Sequence, residues 1–264
     1  DIIKTGKAEA VNNALIEAVT GGNLLVVKKL FKKRGDDIDV NVLDSDGQTP
    51  LFKSSLNGYI GITTFLLQTE GIDVNKPDKL QGLTPLCAAS QEGHAEIVTM
   101  LLGVEGIEMN QLANDDTTPL HKASQNNQIE IVKLLLGAEG IEINQPANGG
   151  YTALSVASQY GHVEIVKMLV GAEGINVNKS TKEGASPLFM ATKHNQIEIV
   201  KLLLGAEGID INQPANNGLT PLLFASQGHV EIVKILLGAE SIQVNKSSIQ
   251  GATPLMFAST NNCI

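Results

Sequence analysis

A recurring histidine, two cysteines and an acidic glycine loop are the features of this chain whose residue types could do chemistry. His94, His162 and His229 each follow a glycine at the same place in a regular pattern, and imidazole is a zinc ligand. One zinc needs its nitrogens within about 2.0–2.1 Å. These histidines fall in alternate units, however, and packed helices lie about 8–10 Å apart, which puts successive histidines on the order of 20 Å apart. They cannot share an ion, so a structural role near a helix start is expected. Gly-Ala-Glu-Gly at 137–140, 171–174 and 205–208 suggests a phosphate loop, but such loops precede a helix and present its free amides. These segments follow an apolar helical stretch, where caps and turns belong. Cys87 and Cys263 lie too far apart in sequence to form a framework, which fits a reducing, cytoplasmic compartment. No Ser, Thr or Cys stands in a nucleophile motif with a separate His and acid. No catalytic residue, cofactor or metal is expected.

The elements that carry these residues repeat. Thr49-Pro50-Leu51 returns at Thr84, Thr118, Thr152 (with Ala153 for proline), Ser186, Thr220 and Thr253, at spacings of 35, 34, 34, 34, 34 and 33. A second marker, Asn41, Asn75, Asn110, Asn144, Asn178, Asn212 and Asn245, keeps the same phase. The Thr or Ser supplies an N-cap oxygen, and proline follows where no N–H is needed. A short helix of small residues then runs to a Gly or Asn, as from Leu86 to Gly93. A second helix carries an apolar stripe, as in Ile131, Val132, Leu135 and Leu136, and stops at Gly137 or its equivalent. About a dozen residues with two turn signals lead to the next cap. In the first unit, Asn13 is expected to cap a helix through Val19, with Gly21-Gly22 turning into a second helix from Leu24 to Phe31. The unit after Thr220 is one residue short, Ser226-Gln227-Gly228-His229 against Ser158 to His162, so its turn should differ.

The sequence resembles the ankyrin repeat family. The residues that carry the resemblance are the run Thr118 to Ala123, the Gly-His pairs at 93–94, 161–162 and 228–229, Glu130 to Leu136, and Gly71 to Asn75. It covers about residues 13 to 260 and implies an all-α fold, an α-solenoid of helix-turn-helix units with projecting β-hairpin fingers. The expected organisation is one array over 1–264: a capping repeat at 1–41, six full repeats at 42–245, and a partial repeat at 246–264. A tetratricopeptide array shares the period but would need longer helices and no finger. The family's usual unit is one residue shorter, and its motif histidine appears only as His121, so its bonds must be made differently elsewhere. Residues 128–150 return at 196–218 with two differences, Glu142 against Asp210 and Gly149 against Asn217, which indicates that a pair of units was duplicated.

A lone unit cannot fold. Its few large aliphatics each contribute about 1.5–3 kcal/mol on full burial, against roughly 1–2 kcal/mol of backbone entropy for every ordered residue. Stacking supplies the remaining burial. The chain is 264 residues long, 42% hydrophobic, 3% aromatic and without Trp, with a net charge of −9. That charge disfavours nucleic acid and anionic membranes. Residues 1–34 nevertheless hold seven basic groups against three acidic, read as the solvated face of a terminal repeat. No apolar run is long enough to span a bilayer, and no signal peptide is recognised. Both ends look cut from something longer.

The resemblance implies a non-catalytic scaffold that binds another protein or peptide along the finger tips and the concave face of the first helices. The residues before the caps then include Gln48, Leu83, Thr117, Tyr151 and Leu219. Seven positions after the caps come Gln91, Gln125, Gln159, Lys193 and Gln227, able to bond a peptide backbone. Tyr151 and Tyr160 are the favoured anchors, because interface energy concentrates in such aromatics. A monomer is expected, with no nucleic-acid or membrane partner. The alternatives are an engineered or purely structural array without a ligand, and an ankyrin segment excised from a larger enzyme, channel or effector. The resemblance also raises hydroxylation of the Asn column, set against a plainer role in bonding turn backbone.

Overall fold

Six helix pairs each start from a side-chain cap. The hydroxyl oxygens of Thr49, Thr84 and Thr118 accept hydrogen bonds from the amides of Phe52, Cys87 and His121. Thr152, Ser186 and Thr220 cap in the same way. The computed structural model describes residues 2–34 and 38–260, and it divides into two compact units, Asp1–Ile141 and Glu142–Ile264. The last residues of the partial repeat, with Cys263, lie outside the described residues.

In the first unit the order is α1 (Ile2–Thr20), α2 (Leu24–Arg34), α3 (Pro50–Leu56), α4 (Ile60–Leu67), α5 (Pro85–Glu92), α6 (Ala95–Leu102), α7 (Pro119–Gln125) and α8 (Ile129–Leu136). In the second it is α9 (Ala153–Tyr160), α10 (Val163–Val170), α11 (Pro187–Lys193), α12 (Ile197–Leu204), α13 (Pro221–Ala225), α14 (Val230–Leu237) and α15 (Pro254–Thr260). Within each unit a first helix packs on its own second helix and on the first helix of the next repeat, as α5 packs on α6 and α7, and α11 on α12 and α13. The stripe residues Ile131, Val132 and Leu135, with Leu120 opposite, are buried, as are Ile199, Val200, Leu203 and Leu188 in the second unit. Leu136 is only half-buried, at the edge of the stripe. The fold is thus an all-helical repeat solenoid.

Two expectations need amendment. α1 begins at Ile2, so Asn13 lies inside the helix rather than at its cap. Gly6 disfavours a helix, but Lys7, Ala8, Glu9 and Ala10 after it favour one and outweigh it. The fingers, secondly, contain no strand among the described residues. Each is a tight turn, with one backbone bond across its base, such as Ala113 N–H to Thr117 O at 2.9 Å or Ala215 N–H to Leu219 O at 2.9 Å, and one inside it, such as Asp116 N–H to Ala113 O at 2.9 Å or Gly218 N–H to Ala215 O at 2.8 Å. A single bond across the base does not make the continuing ladder that defines a hairpin. The histidine's cap-box bond is made differently in another repeat, by serine: Thr118 N–H donates to His121 Nδ1 at 3.2 Å, and Thr152 N–H to Ser155 Oγ at 2.8 Å. The short unit does differ as expected. There α13 has only five residues, is capped at Ser226, and leaves Gly228 at φ 152°.

The Asn column joins successive repeats. Asn75 donates to the Gly106 carbonyl at 2.8 Å and accepts from the Glu108 amide at 2.9 Å. Asn178 does the same to Gly208 and Asp210, at 2.7 and 2.9 Å. From Asn41 to Asn212 each side-chain amide therefore bonds the backbone of the following repeat's loop, about one repeat away in sequence, rather than its own turn.

Candidate protein-binding face

The histidines do structural work at the starts of second helices. His94 bonds the Leu56 carbonyl at 3.0 Å, across to the preceding first helix. In the intervening units the same position is glutamine: Gln128 donates to Gln91 O at 3.1 Å and Gln196 to Gln159 O at 3.2 Å. His162 stacks on Tyr160 and His229 on Phe224, with ring centroids 6.0 and 5.9 Å apart. The glycines before His94 and His162 also make room for the glutamine of the neighbouring repeat. A Cβ on Gly161, at φ 84°, would stand 2.6 Å from Gln196 Oε1.

Cys87 is fully buried in α5, and burial pushes its thiol up to about 12, against partial relief from Thr84 hydrogen bonds and the Lys122 charge. A thiol this far from its thiolate is a poor nucleophile. Two partly buried ion pairs brace fingers against first helices, Lys53 to Asp44 at 2.7 Å and Lys122 to Asp115 at 3.0 Å. Burial pushes both carboxyls up, but hydrogen bonds from Lys53 and the Gln48 and Asp46 amides outweigh it at Asp44. The Thr117 hydroxyl and Lys122 do so at Asp115, so both carboxyls stand below their ordinary value. On α2, Lys28, Lys29, Lys32 and Lys33 are all exposed, as a solvated face requires.

The residues picked out by the column pattern divide by exposure. In the first unit Gln125 is exposed, while Gln48, Gln91 and Thr117 are half-buried. Leu83 is only 3% exposed and packs with Phe52, Cys87, Ala88 and Ala113, so it belongs to the core and offers a partner almost nothing. In the second unit Tyr160 is 50% exposed, Lys193 and Gln227 are exposed, and Gln159 and Leu219 are half-buried. Tyr151 packs against the cluster of Ala185, Phe189, Met190 and Ala215.

The second unit also contains a cleft of about 390 Å³ between the finger turns at 182–185 and 215–219 and helices α11 and α13. Its floor is Phe189, Met190, Leu219 and Phe224, and its rim is Lys182, Glu183, Lys193, Asn216 and Asn217. Phe189 and Phe224 meet edge to face, centroids 5.4 Å apart. The two finger turns are tied side by side by Asn216, whose amide donates to Glu183 O at 2.9 Å and whose side chain donates to Lys182 O at 2.8 Å. Of the residues picked from sequence, only Lys193 and Leu219 line this cleft. Phe189, Met190 and Phe224 escaped notice because they stand three and four positions after their caps, not before the cap or seven after it. A signal was present: where other repeats carry Cys87-Ala88, His121-Lys122 or Ser155-Val156, these carry the bulkier Phe189-Met190 and Leu223-Phe224.

Among the described residues no helix is long and apolar enough to cross a membrane, and no group of three or more His, Cys, Asp or Glu is gathered as metal ligands would be. The sequence matches the family model for ankyrin repeats over residues 3–78, 70–147, 143–215 and 188–264. No curated protein matches the chain.

Proposed function

Because the chain belongs to the ankyrin repeat family, whose repeats are in general protein-interaction modules and typically non-catalytic, we propose that it is a scaffold for another protein or peptide. The partner lies along the finger turns and first helices, where Gln125, Tyr160, Lys193 and Gln227 are open to it. The observation that carries this reading is the cleft in the second unit, whose apolar floor and polar rim are the composition of an interface pocket rather than of a random surface. The scaffold acts as a monomer in the cytoplasm, without cofactor, nucleic acid or membrane.

Binding partners recovered by affinity purification and identified by mass spectrometry provide the assay. Tyr160→Ala and Lys193→Ala, both at exposed positions, should weaken capture while leaving thermal unfolding nearly unchanged. Capture unaltered by both, and by Phe224→Ala, would remove this face as the binding surface. Leu83→Ala is no probe of binding, since truncating a buried leucine costs about 2–5 kcal/mol of stability.

A further inference from the structure

We propose that the cleft over Phe189, Met190 and Phe224 takes a bulky apolar side chain from a partner segment that carries carboxylates beside it. This rests on the protein-binding reading above and narrows it to one partner chemistry.

The apolar half of the argument is the floor. Phe189 and Met190 are nearly buried, whereas Phe224 and Leu219 remain half-open beside them. Phe224 is held edge-on by Phe189 and stacked by His229. A ring fixed in this way loses little freedom when a partner covers it. The opening is within the size range of side-chain and small-ligand pockets.

The charged half is the rim. Lys182 and Lys193 are exposed, and neither has an ion-pair partner among the described residues. Glu183 is the single acidic residue on the finger turns and first helices of residues 142–260, which also carry Lys179. The other eight acidic residues of the second unit, Glu198 and Glu231 among them, fall on second helices and the loops around them. The charges are thus segregated: an acidic outer side, and a binding face whose free ammonium groups flank an apolar floor. Burial and the Lys193 charge both hold His194 below its ordinary value, as an uncompensated cation next door should. A partner carboxylate would satisfy the lysines, and an aliphatic or aromatic side chain would fill the floor. A nucleic acid could meet the first requirement with its phosphates and the second with a stacked base, but the chain's net charge of −9 opposes a polyanion.

The test is a random peptide library panned on the intact chain. The enriched sequences should share Phe, Leu or Met with Asp or Glu within a few residues. A synthetic peptide of that sequence should bind about tenfold more weakly to the Lys182→Glu/Lys193→Glu variant, a loss that shrinks in high salt because exposed charges are screened. Phe224→Ala should weaken it roughly 30-fold, as removal of a pocket anchor does. The lysine variant keeps the proposal falsifiable should Phe224→Ala unfold, since both lysines are exposed. Enriched peptides without acidic residues overturn the proposal, as does a single-stranded oligonucleotide that competes for the cleft. Peptides that bind all variants equally overturn the cleft while leaving the scaffold reading in place. Failure to enrich any peptide overturns both.

Discussion

Replacing Asn178 with alanine removes the donor to Gly208 O at 2.7 Å and the acceptor of the Asp210 amide at 2.9 Å. Both bonds join one repeat to the next within the second unit. A net intramolecular hydrogen bond contributes about 0.5–1.5 kcal/mol, so losing two costs about 1–3 kcal/mol. Gly208 and Asp210 are exposed, so water can take up the orphaned groups and the lower half of that range is expected. Asn178→Asp separates the two halves of the interaction. It keeps an acceptor for the Asp210 amide but turns a carboxylate toward the Gly208 carbonyl, so it should cost at least what the donor contributed. The assay is urea unfolding followed by circular dichroism, combined with hydrogen exchange at Asp210. The amide should exchange several-fold faster in the alanine variant, and the amide of Glu108, held by the equivalent Asn75 in the first unit, should not change. A stability loss below about 0.5 kcal/mol with unchanged exchange at Asp210 would refute the idea that the Asn column couples repeats.

Further outcomes follow from other contacts. Ser90 is fully buried in α5 and its hydroxyl has no hydrogen-bond partner, so Ser90→Ala should leave urea stability unchanged or raise it by about 1 kcal/mol; a loss of that size would mean the hydroxyl is paired. Gly161→Ala should destabilise by about 1–3 kcal/mol, because it combines a positive φ with a 2.6 Å approach to Gln196 Oε1. Adding Gln196→Ala should recover only the steric part of that loss, and full recovery in the melting temperature would show that the backbone conformation costs nothing. The lowered carboxyls of Asp44 and Asp115 are stabilising above the unfolded value of about 3.9, and that contribution disappears as pH falls through their lower folded values. Stability measured from pH 6 to pH 2 should therefore fall less steeply in Lys53→Met and Lys122→Met than in the unaltered chain, and identical slopes would discount both pairs.

Local chemistry repeated in phase made much of this protein legible without coordinates. Thr-Pro-Leu fixed each helix start because a hydroxyl cap and a proline at the first turn admit few other readings, and all six internal caps stand where the sequence puts them. The period itself implied stacking, since a single unit buries too little to fold alone. What the sequence could not decide depended on the neighbouring repeat. Asn75 looked like a local turn residue, but its partners lie in the next loop. Leu83 looked exposed by its column, yet the turn that Asp78 makes around it, accepting the Leu83 amide at 2.7 Å, carries the side chain into the core. Phe189 and Phe224 are far apart in the chain and meet only because their helices stack. Caps and periods act within one unit and are written in order along the chain. The cleft is formed between two repeats of the second unit, so only tertiary packing decides which side chains share it.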